Sequence, residues 1–343
     1  METPETEEID PSSPGHQVRV WFDTLESLGE FVGIRFGRVC RLSGKVDWFY
    51  LSHKDFDGIG GLAHLLRERG AELPNLPRIN HPYDESWLHF FRFLPTLLAS
   101  RRVLEWNQLK QGKELETTSQ PAPAVAHHVF DEVKTAKIRR AGRIAEVTVN
   151  SLLMKHLDSA VRPALADAAG AIPWMVPVNL RGKVFQSEDT GNHSSYVGIQ
   201  IRASESVKQI HRHIYGALRK GQHMAAWKGF TATRLTTPEI KMRMIETSLA
   251  TSQWSVGAFS NLGVWDPEKK ITASECMGDW LFAPPVLRFQ MIGAGCVTYR
   301  GRLTLTLQIH PELTTSPQVA NEWLRSWVRE IELVTSDDAA SQI

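Results

Sequence analysis

Hydrophobic and polar positions along this chain alternate between two periods, and the changes of period mark the elements. Val18 to Gly33 has the length and apolar content of one short helix or strand region, and Lys45 to Leu51 (KVDWFYL) is a β-branched and aromatic run of strand length. Ile59, Leu62, Leu65 and Leu66 then recur at helical spacing, and Gly70 is the residue type that ends helices in a left-handed turn. The order so far is strand, tight turn, helix. Ser86 to Trp106 is mostly apolar and aromatic with Pro95 inside it, which predicts a bent helix. From there to Ala126 the sequence turns polar and then proline-rich, the composition of a linker.

Beyond the linker, Thr148 to Leu165 places Leu152, Leu153, His156, Leu157, Ala160 and Val161 on one helical face. Strands are predicted at 172–180, around Val197, Ile199 and Ile201, and at 255–260, 286–292 and 303–309. Ser204 is a candidate cap for a helix carrying Val207, Ile210, Ile214 and Leu218, and Val319, Leu324, Trp327, Val328 and Ile331 form the stripe of a last amphipathic helix. The pattern is mixed α/β without an internal repeat. It divides into an acidic tail (1–17), a first lobe (18–106), a linker (107–126), a second lobe (127–335) and a closing tail (336–343).

Composition narrows the function classes. With 39 Lys+Arg against 38 Asp+Glu there is no broad basic field, which removes the electrostatic reason to expect a nucleic-acid partner. Hydrophobic residues at 42% and charged residues at 22% suit an ordinary folded core, and 343 residues suit two packed lobes. Three cysteines without a C-x-x-C pair argue against a disulfide framework or a zinc site and favour a reducing, cytoplasmic setting. No stretch of 18 apolar residues occurs, which leaves a soluble or membrane-peripheral protein.

The stretch with most chemical content is Ser52 to Gly61, SHKDFDGIGG, where His53 leaves a strand, Asp57 stands four residues later and Gly58 follows. An imidazole titrates near neutrality and can take a proton from a hydroxyl or amine as that group attacks a carbonyl. A carboxylate one short loop away can pair with a cation and hold the loop, while Gly58 permits a sharp turn into the helix. The bland alternative for this motif alone is a surface loop after a strand.

The chain resembles the H-x-x-x-D acyltransferase superfamily, which includes chloramphenicol acetyltransferase, nonribosomal-peptide condensation domains and, most similar in its landmarks, the wax ester synthase/diacylglycerol acyltransferase branch. The landmarks occur in the family's order: SHKDFDG at 52–58, TVNSLLMKHLDSAVR at 148–162, VPVNLR at 176–181, GNHSS at 191–195, SNLG at 260–263 and TYRGRLTLTLQ at 298–308. The resemblance implies an α/β, two-lobed chloramphenicol acetyltransferase-like fold with mixed sheets and an inter-lobe tunnel. It implies His53 as general base and Asp57 as a structural acid, with Arg181 as its partner and Arg35 as the alternative. Candidates for holding an oxyanion or substrate are Ser260 and Asn261, then Asn192 with Ser194 and Ser195; Asn179 and Asn150 are expected to fix the backbone.

The activity so implied is transfer of a fatty acyl group from acyl-CoA, as co-substrate, to an alcohol or lipid acceptor, with no permanently bound cofactor and no metal. The alternatives are a carrier-protein-dependent condensation-like enzyme and a noncatalytic acyl-binding or scaffold protein. Three features depart from the family pattern: Ser52 stands where a first His is usual, Ser151 where an acid is usual, and only 52 residues precede His53, so part of the first lobe is expected to be missing.

Weaker signals remain. H-H-V-F-D-E at 127–132 imitates the motif with one residue too few between His128 and Asp131. His211 and His213 are two apart and point to different faces of a helix, which rules out an i, i+4 metal pair. The basic run Lys134, Lys137, Arg139, Arg140 and Arg143 is expected to be a solvated face; its alternative partners are the CoA diphosphate, an acidic membrane or an acyl-carrier protein. Trp87 to Trp106 is expected to be a core helix, with membrane contact as the second reading.

Overall fold

A computed structural model describes residues 14–73, 75–78, 90–91, 104–109, 122–184, 188–232, 236–251, 255–267 and 278–335. Two sheets organise them. Strands β1 (Gly33–Cys40), β2 (Val46–Ser52) and β7 (Gly278–Ala283) form a three-stranded antiparallel sheet in the order β2-β1-β7. The larger sheet has the order β3-β9-β8-β6-β4-β5, built from β3 (Ala124–Val129), β4 (Ile172–Asn179), β5 (Ser194–Ile201), β6 (Ser255–Trp265), β8 (Gln290–Tyr299) and β9 (Arg302–Ile309). In it β6 runs parallel to both β4 and β8, and the other pairs are antiparallel. The α/β, mixed-sheet architecture expected from the sequence is present.

The period-2 pattern of β9 explains how the large sheet is covered. Leu303, Leu305, Leu307 and Ile309 pack with helices α3 (Glu132–Ile144), α4 (Val149–Val161), α5 (Val207–Arg219) and α8 (Pro317–Thr335) in one core. Thr304, Thr306 and Gln308 alternate onto the other face, where Thr304 Oγ1 donates to the Trp280 carbonyl at 2.7 Å and the Gln308 amide donates to the Pro284 carbonyl. That face carries β7 and, with the three-stranded sheet, a second core in which α2 (Gly58–Arg67) packs on Ile34, Phe36, Trp280 and Phe282. Helix α1 (Pro14–Ser27) lies against α6 (Gln222–Ala232) and α7 (Pro238–Thr251).

Several sequence expectations shift. The strand expected at 286–292 begins later, at Gln290, and runs to Tyr299 as β8, while β7, which ends just before Pro284 and Pro285, was not expected. The helix after β5 is capped by Ser206 in a reciprocal capping box with Gln209, two residues beyond Ser204. The last three residues of the expected linker, Ala124 to Ala126, are already strand in β3, paired with Ile309, Gln308 and Leu307. The basic run is the solvated face of α3, whose Thr135, Ile138 and Ala141 turn inward. None of its residues lines the cavity described below, and it lies in the helical layer across the large sheet from α2. Cys40 is disulfide-bonded, against the expectation from the cysteine count, and Cys296 is a free buried thiol.

Most of the Trp87 to Trp106 stretch and residues 110–121 of the linker lie outside the described residues. Among the described residues no helix is long and apolar enough to cross a membrane.

One buried and one half-buried histidine predict an acid-sensitive fold. Burial pushes His156 on α4 and His310 after β9 down to about 4 from the ordinary 6.5. The unfolded chain therefore binds more protons between those values, and stability falls as pH drops from about 6.5 toward 4, by roughly 1.4 kcal/mol per pH unit per group at most. Urea midpoints measured across that window should decline, and those of His156→Gln should decline less steeply.

Candidate active site

The sequence after β2 folds into a tight turn whose donors and acceptors are nearly all assigned. His53 N donates to the Val32 carbonyl at 3.2 Å and Phe56 N to the Ser52 carbonyl at 3.0 Å, and Asp57 then caps α2 by accepting from Gly60 N at 2.7 Å. Gly60 stands there because nothing larger fits: a Cβ would lie 1.8 Å from the Thr190 carbonyl oxygen. Gly58 is similarly confined, with a Cβ falling 2.6 Å from Leu262 and 2.8 Å from Phe282. Gly60→Ala must push the 188–193 loop off α2, so we expect the variant to lose several kcal/mol of stability, measurable by chemical denaturation.

Asp57 is 3% exposed and accepts four hydrogen bonds. Besides Gly60 N, His193 N donates at 2.9 Å, and the Arg181 guanidinium spans both carboxylate oxygens, Nη1 to Oδ2 at 2.8 Å and Nη2 to Oδ1 at 3.0 Å. Arg181, 4% exposed, uses its other three N–H groups on the Asp189 carbonyl, Asn179 Oδ1 and the Gly191 carbonyl, so all five donors are satisfied. This pair ties the loop after β2 to the loop between β4 and β5. Arg35 is on the opposite face of the small sheet from the α2 core, with its guanidinium over Trp48 and Tyr50, and takes no part in holding Asp57.

The same scaffold fixes His53. Its Nδ1 lies 2.9 Å from the Phe56 carbonyl, which can only accept, so Nδ1 carries the proton and Nε2 the lone pair. The 3.4 Å approach of the Asn192 amide to Nδ1 is then a contact, since a protonated nitrogen has nothing to accept with. Asn192 instead donates to the His53 carbonyl at 2.6 Å and accepts from Ser194 N and Ser194 Oγ. The Phe22 ring packs on the imidazole with centroids 4.6 Å apart. Burial lowers the His53 pKa, against a smaller upward pull from the Phe56 carbonyl and the Asp57 charge, which favours the neutral ring at neutral pH.

Among the described residues Nε2 has no protein partner, and His53 lines a cavity of about 80 Å³. Its walls are Ile34, Ile59, Leu262, Phe282, Pro284 and Pro285 on the apolar side, and Asn179, Ser194, Ser260 and Asn261 on the polar side. Asn261 accepts from Gly263 N at 2.8 Å through Oδ1, beside the bulge between Asn261 and Val264, and among the described residues its amide NH2 has no protein acceptor.

Two site expectations change. Asn192 has both ends of its amide engaged by protein and holds His53 instead of offering a donor to substrate, and Ser194 gives its hydroxyl proton to Asn192 at 2.6 Å, leaving only an acceptor for the cavity. Ser195 donates to the His223 carbonyl, and Asn179 donates to the Pro77 carbonyl at 2.6 Å while accepting from Arg181. Asn150 is apart from the cavity lining, with a buried unpaired Oδ1. Phe22, Phe282, Pro284 and Pro285 were not foreseeable, since an apolar wall and an apolar core read alike in sequence. The imitation motif has its own use: Asp131 caps α3 by accepting from Lys134 N at 2.7 Å. His211 meets Ser151 and His213 meets Glu205, and among the described residues no group of metal-ligating side chains occurs.

An imidazole whose Nε2 has no partner among the described residues and an asparagine amide on one small cavity can chemically accept a proton and donate a hydrogen bond to a developing negative charge. The fold is similar to several solved structures. One is the epimerization domain from the third module of tyrocidine synthetase B, with TM-score 0.53 and 12% identity over 86% of this chain and 70% of that one. Another is a trichothecene 15-O-acetyltransferase from Fusarium sporotrichioides, with TM-score 0.53 and 13% identity over 84% of this chain and 65% of that one. A third is polyketide synthase associated protein 5 from Mycobacterium tuberculosis, with TM-score 0.50 and 12% identity over 96% and 92%. No protein-family profile and no curated protein sequence matches the chain. At these identities the likeness establishes a condensation-domain and acetyltransferase-like fold, which hosts more than one reaction.

Proposed function

We propose that this chain is an acyltransferase that moves an acyl group from a thioester, such as acyl-CoA, directly to an acceptor hydroxyl, with His53 as the general base. The observation that carries the reading is the Nε2 of a neutral imidazole, without a protein partner among the described residues, on a cavity that Asn261 also lines. His53 Nε2 takes the hydroxyl proton as the oxygen attacks the thioester carbonyl. The resulting oxyanion accepts from Asn261 Nδ2 and from the Ser260 hydroxyl. Collapse expels the thiolate, which recovers the proton from the imidazolium, giving an ester and a free thiol.

The lining favours a neutral acceptor. Among the described residues it holds no Lys, Arg or Glu, and its one carboxylate, Asp57, is matched by Arg181, so an ammonium group would be desolvated without a counter-charge. A fatty alcohol or lipid hydroxyl meets that condition, and an acyl-carrier protein is the other thioester donor of the same chemistry. The wax ester synthase-like choice of long acyl chains and a membrane-peripheral setting belong to this proposal.

The test is thiol release from a panel of acyl-CoAs and carrier-bound acyl groups with alcohol, diacylglycerol and amine acceptors. Release with hydroxyl acceptors supports the reading. Release with amines alone favours the condensation-like enzyme, and tight acyl-thioester binding without release favours a noncatalytic acyl-binding protein. The pH profile has a defined sign: the base works only when neutral and its pKa is depressed, so kcat/KM should be flat at neutral pH and fall with a midpoint below about 6.5. A midpoint above 7 would contradict a buried neutral His53.

A further inference from the structure

Strand β2 is an edge of the three-stranded sheet, with β1 as its one neighbour among the described residues. Its register shows which backbone groups remain unpaired. Cys40 N donates to the Lys45 carbonyl at 2.9 Å and His53 N to the Val32 carbonyl at 3.2 Å, so residues 47, 49 and 51 face β1 through their hydrogen bonds. Val46, Trp48 and Tyr50 therefore direct N–H and C=O outward. The strand has no proline and no bulge, and its Asp47 carboxylate is taken by Lys45 at 3.4 Å. Edges this plain are usually covered or guarded.

The face of the same sheet turned away from α2, where Trp48 meets His127 of β3 edge-on with centroids 6.2 Å apart, carries an unusual row. Gly33 and Gly37 leave space for rings to lie flat on β1, Phe31 over the first and Trp48 over the second, where a Cβ would come within 2.5 and 2.8 Å. Between Tyr50 and Trp48 sits the Arg35 guanidinium, 4.9 and 5.3 Å from the two ring centroids, so it reaches toward the free edge. Arg35 is 4% exposed, has no carboxylate within 4.0 Å among the described residues, and its Nε has no hydrogen-bond partner. Tyr50 and Phe31 beside it are 48% and 46% exposed. The two rings and a side-chain hydrogen bond with Tyr50 offset only part of the cost of burying that charge.

We propose that the outer edge of β2 is a strand-addition site for an extended, acidic peptide segment of a partner protein. The incoming main chain pairs with Val46, Trp48 and Tyr50, and one Asp or Glu side chain lies between the two rings against Arg35. A second copy of this chain fits less well. Pairing β2 with itself brings two uncompensated Arg35 cations together, and Asp47 points to the other face, so no carboxylate is supplied. The site is independent of the cavity at His53.

Random eight-residue peptides displayed on phage, selected against the immobilised full chain, test this. We expect enriched peptides to carry Asp or Glu at one fixed position among alternating apolar residues. Exchanging that acid for its amide should weaken binding at least tenfold on the native chain and leave it unchanged on Arg35→Met. Trp48→Pro, which removes an outward N–H without breaking a bond to β1, should abolish binding. Arg35→Met keeps the test decisive if the proline variant unfolds. No enriched peptide, enrichment without an acidic position, or an acid preference that survives Arg35→Met would overturn the proposal, as would a concentration-dependent dimer that excludes the peptides.

Discussion

Arg181→Met is expected to lower the free energy of unfolding by about 3–5 kcal/mol, the cost of leaving a buried carboxylate without its cation. The size follows from the geometry. Asp57 and Arg181 are both almost fully buried, and the guanidinium closes two hydrogen bonds to the carboxylate and three more to Asn179, Asp189 and Gly191. Removal leaves Asp57 with the amides of Gly60 and His193 and no positive charge. Arg181→Lys should recover little, because an ammonium cannot span two oxygens and also reach two carbonyls. Combining Arg181→Met with Asp57→Asn should cost less than the sum of the single variants, since the uncompensated charge is then gone. Urea unfolding of the native chain, the three single variants and the double variant measures this, and a cost below about 1 kcal/mol for Arg181→Met would mean that the pair does not support the fold.

How much of this was legible in the sequence differs by element. Helix α2 and its cap were readable because Asp57, the glycines and the apolar spacing all act within one turn. Strand β9 was readable from its period, although the role of its threonines, donating to the backbone of β7, depends on a strand about 24 residues earlier. Strand β7 itself was missed because its residues are buried on both faces and show no alternation. At the site, the Asp57 and Arg181 landmarks were placed by resemblance, and the structure brings them within 2.8 Å. The division of labour among the polar residues was not readable. Whether Asn192 or Asn261 faces the cavity depends on which backbone groups lie beside each amide, and those come from the turn after β2 in one case and from a bulge in β6 in the other. The Phe22 ring against His53 comes from a helix whose sequence specifies only an amphipathic surface.

The base itself is the remaining large effect. Under the proposed function, His53→Ala removes the group that takes the acceptor proton while leaving the Asp57–Arg181 pair and the α2 cap in place, so the fold should be retained and turnover should fall about 10²- to 10⁴-fold. The loss should lie in kcat more than in KM, because the imidazole acts on the reacting hydroxyl and contributes little to holding the acyl chain. Asn192→Ala should lower the rate less, since it loosens the His53 backbone without deleting the base. The direct measurement is thiol release from acyl-CoA with an alcohol acceptor, comparing the native chain with His53→Ala at matched folded concentrations. The account predicts release by the first and a loss of at least a hundredfold in the second; equal rates in both would contradict it.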